Sequence, residues 1–349
     1  MTDELLKLTT YFGERDRTDG ELLADELFAL YGEQGLQISA MLRGIEGFGH
    51  HHSTHTDLLL SLSEDLPVMS VAVDTPERIE AMLPQVLDVK RRGLVTLERA
   101  RLLAGRLQPG PETGLRLPED LRDQAKLTVF LGRRERASGR PAFMTACDLL
   151  QREGVAGATV LLGVDGTRDG RRVRARLLAR NADAPVLVVA VGRGEAIANA
   201  AFALSDRLAQ PLMTLERVQV CRRDGQWLAD PEPVPPVLDH ELLWCQKLTV
   251  HSRDDDCVNG HPLHRTLVRR LRRERVAGAT SVRGVWGFQN DEPPQGDRFW
   301  QTRRRTPVMT IVVDTHERIA EVYGVVEEVT AQRGLVTVEA VPVRVLPGV

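Results

Sequence analysis

The chain has 349 residues, and its 46 basic and 49 acidic side chains give a formal net charge of −3, so we expect no general nucleic-acid partner. Hydrophobic residues make up 42% and charged residues 27%, a composition that is typical of globular proteins and excludes wholesale disorder. No stretch approaches the ~20 apolar residues of a membrane span. The acidic start of the sequence lacks the pattern of a signal peptide, so we expect a cytoplasmic protein.

Short aliphatic runs alternate with helical patterns along the first 104 residues. The predicted elements are a strand at 8–12, a helix with Leu22, Leu23, Leu27 and Leu30 on one face, a strand at 38–42, a glycine-rich loop at 44–56, a strand at 68–73, a helix after the N-cap residue Thr75 and a strand at 94–102. This β-α-β-β-α-β order is the ferredoxin-like plan. Because the run 68–73 is apolar on both faces, we expect other parts of the chain to cover the face without helices.

The same pattern occurs three times, which is the signature of a repeat architecture. The recurring anchors are Lys7-Leu8-Thr9, Lys126-Leu127-Thr128 and Lys247-Leu248-Thr249, and the glycine pairs 44/47, 163/166 and 284/287. We therefore predict an α+β protein of three tandem ferredoxin-like domains, packed as an intramolecular pseudotrimer in a monomeric chain. The predicted boundaries are copy one 1–104, a linker 105–123, copy two 124–222, a proline-rich linker 223–244 and copy three 245–349.

Several segments of copy one together resemble the bacterial domain-of-unknown-function family 190, a PII-like family. These segments are Arg43-Gly44-Ile45-Glu46-Gly47-Phe48-Gly49, His55-Thr56, Leu62-Ser63-Glu64-Asp65-Leu66-Pro67-Val68, Asp74-Thr75-Pro76-Glu77-Arg78-Ile79 and Arg92-Gly93-Leu94-Val95-Thr96. Copy three keeps Arg283-Gly284, Gly287-Phe288 and Arg333-Gly334, but its loop diverges through Asp291-Glu292-Pro293-Pro294. Copy two keeps Gly163 and Gly166 but has Thr167 in place of the phenylalanine and lacks the Arg-Gly pair before its last strand. The resemblance implies homotrimeric single-copy relatives that bind nucleotides or other small anions between neighbouring subunits. It also implies signalling to a partner, such as a membrane transporter of the fluoride-channel kind.

The resemblance and the glycine loops give the candidate ligand-binding residues. They are Arg43, Gly44, Gly47, Phe48, Gly49, His55, Arg92 and Gly93 in copy one, and Arg283, Gly284, Gly287, Phe288, Arg333 and Gly334 in copy three. Glycines let backbone N–H groups approach an anion. The alternative is that they only permit the backbone angles of a turn. Because copy two departs from the pattern, we expect unequal clefts and fewer than three bound ligands.

No Ser/His/Asp motif, Walker loop or His-Glu-x-x-His motif occurs, so we expect a non-enzymatic protein without a cofactor other than a nucleotide ligand. His50, His51 and His52 are weak candidates for a divalent-metal site. Copies two and three carry no histidine in this loop, which favours a solvated loop tip instead. Two alternatives to a ligand-binding sensor remain: a structural adaptor on a membrane transporter, and a metal-binding protein resembling the CutA trimers.

Overall fold

Three successive segments of the chain fold into the same α+β unit. The computed structural model describes residues 4–49, 55–56, 65–103, 119–168, 171–174, 184–209, 211–234, 238–239, 242–289, 292–296 and 305–346. The elements of copy one are β1 Glu4–Gly13, β2 Arg17–Thr18, β3 Glu21–Leu22, α1 Leu23–Glu33, β4 Ile38–Arg43, β5 Glu46–Phe48, β6 His55–Thr56, β7 Pro67–Asp74, α2 Pro76–Lys90 and β8 Gly93–Leu103. The predicted strands and helices of this copy are thereby confirmed, and two short hairpins, β2–β3 and β5–β6, are added to them.

Copies two and three repeat this succession. Copy two has a 3₁₀ turn Glu119–Leu121, β9 Gln124–Gly132, β10 Arg136–Ala137, β11 Arg140–Pro141, α3 Ala142–Arg152, β12 Gly157–Leu162, β13 Asp165–Arg168, β14 Arg171–Arg174, β15 Pro185–Arg193, α4 Gly194–Arg207, β16 Leu212–Arg217, β17 Gln219–Arg223 and β18 Gln226–Trp227. Then follow β19 Leu238–Asp239, β20 Leu242–Arg253, β21 Cys257–Val258, β22 His261–Pro262, α5 Leu263–Arg273, β23 Ala279–Arg283, β24 Trp286–Gln289, β25 Gln295–Gly296, β26 Pro307–Asp314, α6 His316–Val329 and β27 Leu335–Leu346.

The two predicted linkers differ in what the structure describes. Residues 105–118 of the first lie outside the described residues, and its remainder carries the 3₁₀ turn. The second, 223–244, contains strands β18 and β19 and the start of β20, so part of it has regular structure. Its prolines do not interrupt these strands, because they lie between Asp230 and Val237 and leave the strand residues free to pair.

Each copy forms a four-stranded antiparallel sheet with its two long helices on one face. In copy one the strand order is β4-β7-β1-β8, and Leu8 at its centre faces Ala72 on one side and Leu97 on the other. The corresponding orders are β12-β15-β9-β16 and β23-β26-β20-β27. Strand β7 is buried along almost its whole length, as expected for an apolar run with both faces covered.

The helices begin as their sequences predict, with one difference at the caps. Thr75 and Thr315 both hold the N-cap position, in extended backbone, before α2 and α6. The Thr315 hydroxyl accepts a hydrogen bond from the backbone N–H of Arg318 at 3.3 Å, whereas the Thr75 side chain makes no capping bond. The predicted hydroxyl cap of copy one is therefore wrong in this detail, and Pro76 and Glu77 supply the start signals of α2.

Strand pairing joins the three copies in a cyclic order. Strand β5 of copy one pairs with β23 of copy three, β13 of copy two pairs with β4 of copy one, and β24 of copy three pairs with β12 of copy two. At the opposite end, β8 pairs with β16, β17 with β27, and β27 with β8. As a result, 21 strands form one continuous sheet.

The apolar core is divided between the copies and the space they share. Each pair of helices covers its own cluster of aliphatic side chains. A further cluster combines sheet residues of all three copies, among them Leu5, Phe130 and Met309. This shared cluster buries the sheet face that the helices leave uncovered. Within the described ranges, no helix has the length and apolar character needed to cross a membrane.

Candidate functional site

A cleft of about 550 Å³ lies between copies one and three. Copy one supplies strand β5 with Gly49 after it, the turn between α2 and β8, and the end of β1; copy three supplies parts of β23 and β26. The lining residues include Tyr11, Phe12, Asp16, Arg17, Leu23, Gly47, Phe48, Gly49, Asp65, Lys90, Arg91, Arg92, Gly93, Leu94, Gly278, Thr280, Ile311 and Val313. We call this cavity the one–three cleft. It contains five of the eight residues of copy one that the sequence predicts to bind a ligand.

A tight turn carries the basic side of this cleft. Arg91 has a φ of 39° and Gly93 a φ of 95°, both in the left-handed region, so the chain reverses within a few residues after α2. The Lys90 ammonium folds back and donates a hydrogen bond to the carbonyl oxygen of Arg92 at 2.6 Å. A Cβ on Gly93 would lie 2.9 Å from that ammonium nitrogen, so glycine leaves room for the lysine. Lys90 and Arg92 thereby line the same cavity.

Most of the charged side chains that line the one–three cleft have partners in the protein. Arg91 pairs with Asp19 at 2.6 Å, and Arg17 donates to the carbonyl oxygen of Gly20 at 2.6 Å. Asp16 and Asp65 each accept a backbone N–H, from Gly13 at 3.0 Å and from Arg15 at 2.7 Å. By contrast, the exposed Arg92 side chain has no charged partner in the part of the chain that the structure describes. Arg92 is therefore the cation best placed to meet an anionic ligand.

The other predicted residues of copy one, Arg43, Gly44 and His55, are not among the lining residues and contact neighbours in copy one, whereas Gly47 in the cleft wall meets copy three. The Arg43 guanidinium pairs with Glu14 at 2.7 Å. A Cβ on Gly44 would lie 2.7 Å from the ring of Pro67, and one on Gly47 would lie 2.4 Å from the carbonyl oxygen of Ala279. The backbone of His55 pairs with Gly47 in the β5–β6 hairpin. His50, His51 and His52 lie outside the described residues.

The phenylalanines of the glycine loops enter the cores of neighbouring copies. Phe48 of copy one belongs to the helix-side core of copy three, and Phe288 of copy three belongs to that of copy two. Copy two has Thr167 at this position, where its backbone N–H and its hydroxyl both lie 2.9 Å from the Ser39 hydroxyl of copy one. Phe48 also lines the one–three cleft, whereas Phe288 serves as an apolar anchor between copies.

In copy three, the predicted residues have protein partners. The Arg283 guanidinium lies 3.1 Å from Asp254, and the Arg333 guanidinium lies 3.4 Å from Asp256. A Cβ on Gly284 would lie 2.8 Å from Pro307, and one on Gly287 would lie 2.2 Å from the carbonyl oxygen of Ala158. Gly334, with a φ of 101°, makes the same left-handed turn before β27 that Gly93 makes before β8.

A ring of buried charges occupies the place where the three sheets meet. Each copy contributes one lysine from its first strand and one glutamate from its last strand: Lys7, Lys126, Lys247, Glu98, Glu216 and Glu339. Lys7 lies 2.7 Å from Glu98, Lys126 lies 2.9 Å from Glu216, and Lys247 lies 3.2 Å from Glu339. Further contacts join Lys7 to Glu216, Lys126 to Glu339 and Lys247 to Glu98. We call these six residues the central charge ring.

The ionic state of the ring follows from these contacts. Burial by itself disfavours the Glu98 carboxylate, but Lys247, Lys7 and Lys126 hold its pKa well below its usual range. Lys126 is buried as well, and its glutamate neighbours raise its pKa well above the ordinary value. The carboxylate oxygens of the three glutamates lie within 4.8 Å of one another, a spacing that suits a metal ion. Burial lowers the pKa of Lys247. Because three lysine amines already contact these carboxylates, the ring does not fit a divalent cation.

Neither the ring nor Lys90 was predicted from the sequence, although the sequence carries a signal for them. Lysine occurs at only four positions, against 42 arginines. Those four positions are the three ring lysines and Lys90, and all four side chains are buried. In a chain that uses arginine almost everywhere else, each lysine marks a place where a compact amine is required.

Comparison with known proteins gives one family and a set of single-copy relatives. The family model DUF190, described as "Uncharacterized ACR", matches residues 5–102, 124–220 and 245–343. A UPF0166 protein of Methanocaldococcus jannaschii is 29% identical over 99 residues, which are 28% of this chain and 91% of that protein. A UPF0166 protein of Aquifex aeolicus is 27% identical over 97 residues, which are 28% of this chain and 90% of that protein. These relatives are therefore close to one copy in length.

A solved structure of aspartate kinase from Synechocystis aligns with 97% of this chain and 44% of its own chain, at 12% identity. Its TM-score is 0.24, so this likeness carries no argument about fold or function.

Proposed function

Because the chain belongs to the domain-of-unknown-function family 190, with one family domain in each of its three copies, we propose that it is a non-enzymatic, PII-like sensor. In this proposal the three ferredoxin-like domains form a pseudotrimer. A small anionic ligand, of which a nucleotide is the leading class, binds between copies. The bound state regulates a partner protein, for which an ion transporter is the leading candidate.

The observation that carries this proposal is the one–three cleft. Its volume of about 550 Å³ falls within the ~300–1,000 Å³ that small-molecule sites occupy. Phe12 of copy one and Ile311 and Val313 of copy three give it apolar walls that suit a flat ring. Lys90 and Arg92 lie on its basic side and suit a phosphate or carboxylate group. This combination of an apolar wall and cationic groups matches the two halves of a nucleotide.

The equivalent position of copy three supports a single ligand site. Where copy one has Gly13, copy three has Arg253, whose guanidinium pairs with Asp255 at 3.1 Å and also contacts Glu292. Ala331 stands in place of Lys90, and Arg333 is engaged by Asp256. In copy three, the residue that leaves space for a ligand is thus replaced by an arginine, the lysine is replaced by an alanine, and the remaining arginine is paired with an aspartate. We propose one ligand per chain.

Calorimetry on the full chain with ATP, ADP and AMP tests the proposal. We expect at least one nucleotide to bind with a stoichiometry of one. A charge-assisted hydrogen bond contributes ~1.5–3 kcal/mol, so Arg92→Ala is expected to weaken binding by about 10- to 100-fold. Arg333→Ala is the matched control and is expected to leave the affinity unchanged. If no nucleotide bound at millimolar concentration, the nucleotide proposal would fail, and an adaptor role without a ligand would be favoured.

A further inference from the structure

Lys90 differs from the other three lysines in its surroundings. Each lysine of the central charge ring contacts at least two glutamates. Lys90 is equally buried, with 5% of its surface exposed, yet no carboxylate within the described ranges forms an ion pair with it. Its ammonium nitrogen lies 5.8 Å from the centre of the Phe12 ring and donates to the Arg92 carbonyl oxygen. The amine therefore sits against the Phe12 ring without a carboxylate in direct contact.

At this position the neutral form of the amine is more favoured than it is in a lysine that is exposed to water. Burial lowers the pKa of Lys90 to about 8, and the negative charge of Asp16 opposes the shift only in part. The Lys90 amine is then neutral in about a tenth of the molecules at pH 7. Desolvation in an apolar pocket is one of the ways in which proteins activate lysine as a nucleophile. Arginine cannot supply this chemistry, because its guanidinium remains protonated.

We propose that Lys90 binds a ligand covalently: its amine condenses reversibly with the carbonyl group of an anionic aldehyde or ketone held in the one–three cleft. The neutral amine attacks the carbonyl carbon, and a nitrogen–carbon bond forms. The carbonyl oxygen takes both amine protons and leaves as water, so that a carbon–nitrogen double bond remains. Nothing is oxidised or reduced, and hydrolysis reverses the reaction.

The neighbouring Arg92 indicates that the ligand is an anion. Arg92 is exposed to the cleft without a charged partner in the described part of the chain, and its carbonyl group holds the Lys90 amine. Because Lys90 and Arg92 line the same cleft, we expect a ligand whose carboxylate or phosphate contacts the Arg92 guanidinium to bring its carbonyl group within reach of that amine. This inference rests on the proposed ligand cleft, but it requires neither a nucleotide nor a partner protein.

Pyridoxal 5′-phosphate, which carries both an aldehyde and a phosphate, is a suitable probe. The full chain is incubated with it, reduced with borohydride and mapped by peptide mass spectrometry; only four lysines and the terminal amine have to be distinguished. We expect Lys90 to be labelled at least 10-fold more than any ring lysine, and faster as the pH rises through 8. 5′-Deoxypyridoxal, which lacks the phosphate and cannot close to an internal hemiacetal as pyridoxal does, is expected to label Lys90 about 10-fold more slowly, and Arg92→Ala to remove that difference.

Two variants separate covalent binding from a purely structural role. Lys90→Arg keeps the positive charge and the carbonyl contact and is expected to abolish labelling, while terminal-amine labelling continues. Lys90→Met reports the contribution of the side chain to stability. Labelling confined to the terminal amine, or equal labelling by 5′-deoxypyridoxal and pyridoxal 5′-phosphate, would overturn the inference. Nucleotide binding without Lys90 labelling would reject this inference alone, whereas Lys90 labelling without nucleotide binding would reject the nucleotide proposal alone.

Discussion

Gly47 of copy one lies directly against Ala279 of copy three: a Cβ atom on the glycine would be 2.4 Å from the alanine's carbonyl oxygen. Strands β5 and β23 pair at this point. The same approach occurs between Gly166 and Ser39 and between Gly287 and Ala158, at 2.2 Å in both cases. The second glycine of each loop therefore allows the backbones of two copies to meet. This close packing is a third explanation, beside anion binding and turn geometry.

Replacing this glycine should weaken the contact between copies. Gly47→Ala forces the two backbones apart, and we expect a loss of ~1–3 kcal/mol of unfolding free energy, the usual range for overpacking. Gly49→Ala is the matched control, because Gly49 has no atom within 4 Å of the added methyl group. Urea unfolding of both variants measures the effect. Equal stability of the two variants would contradict the packing role.

The central charge ring should tolerate the loss of a balanced pair better than the loss of one member. Lys7→Met or Glu216→Gln alone leaves a buried charge without compensation, and we expect each to lower the unfolding free energy by ~3–5 kcal/mol. The double variant retains two lysines and two glutamates. We expect it to lose clearly less than the sum of the single losses. Urea unfolding of the four proteins gives the coupling energy, and strict additivity would contradict a coupled ring.

His251 should make the fold less stable in mild acid. Burial lowers the pKa of this histidine to about 4, whereas an unfolded histidine titrates near 6.5. Between these two pKa values the unfolded chain binds a proton that the folded chain does not bind. The contribution of His251 to the unfolding free energy is therefore complete above pH 6.5 and decreases as the pH falls towards 4. Between pH 7.5 and 5 this loss amounts to ~2 kcal/mol.

The variant His251→Phe tests this pH dependence, because copy two has Phe130 at the equivalent position and a cavity of about 70 Å³ adjoins both rings. The measurement is urea unfolding of both proteins at pH 7.5 and pH 5. We expect the variant to lose ~2 kcal/mol less than the unmodified protein over this range. The same pH dependence in both proteins would assign the effect to another group.

A single chain should be the functional unit in solution. The loop strands and the last strands of all three copies already pair with one another in a cycle. We therefore expect small-angle scattering to give the mass of one chain across a wide concentration range. A mass near three chains would show that the copies assemble between chains instead.

The sequence predicts the elements of each copy well, since their signals are local. The apolar run 68–73 and the helix start at Pro76 need no information from elsewhere in the chain. The contacts between copies join residues more than 100 positions apart, such as Gly47 and Ala279, and no local pattern selects one copy over another. The sequence therefore predicts which loop glycines matter, but it does not show that they are needed for close packing between copies.

The polar residues were harder to interpret, because each looks ordinary in its own segment. Lys7 and Glu98 resemble alternating polar positions of strands that face water, and Lys90 resembles a basic residue at the end of a helix. Their roles depend on burial by other copies, which becomes visible only when the three sheets meet. The rarity of lysine was the one signal in the sequence that could have distinguished them.

The cyclic pairing of three linked copies also changes what a single substitution can achieve. In an assembly of identical subunits, a mutation at a subunit boundary appears at every boundary at once. In this chain, Gly13 and Arg253 occupy equivalent positions and differ, so each boundary can change independently of the others. One boundary can then specialise for a ligand while the remaining two are selected for strength alone. Covalent linkage therefore allows the three boundaries to acquire different roles, which is impossible in a strictly symmetric assembly of identical subunits.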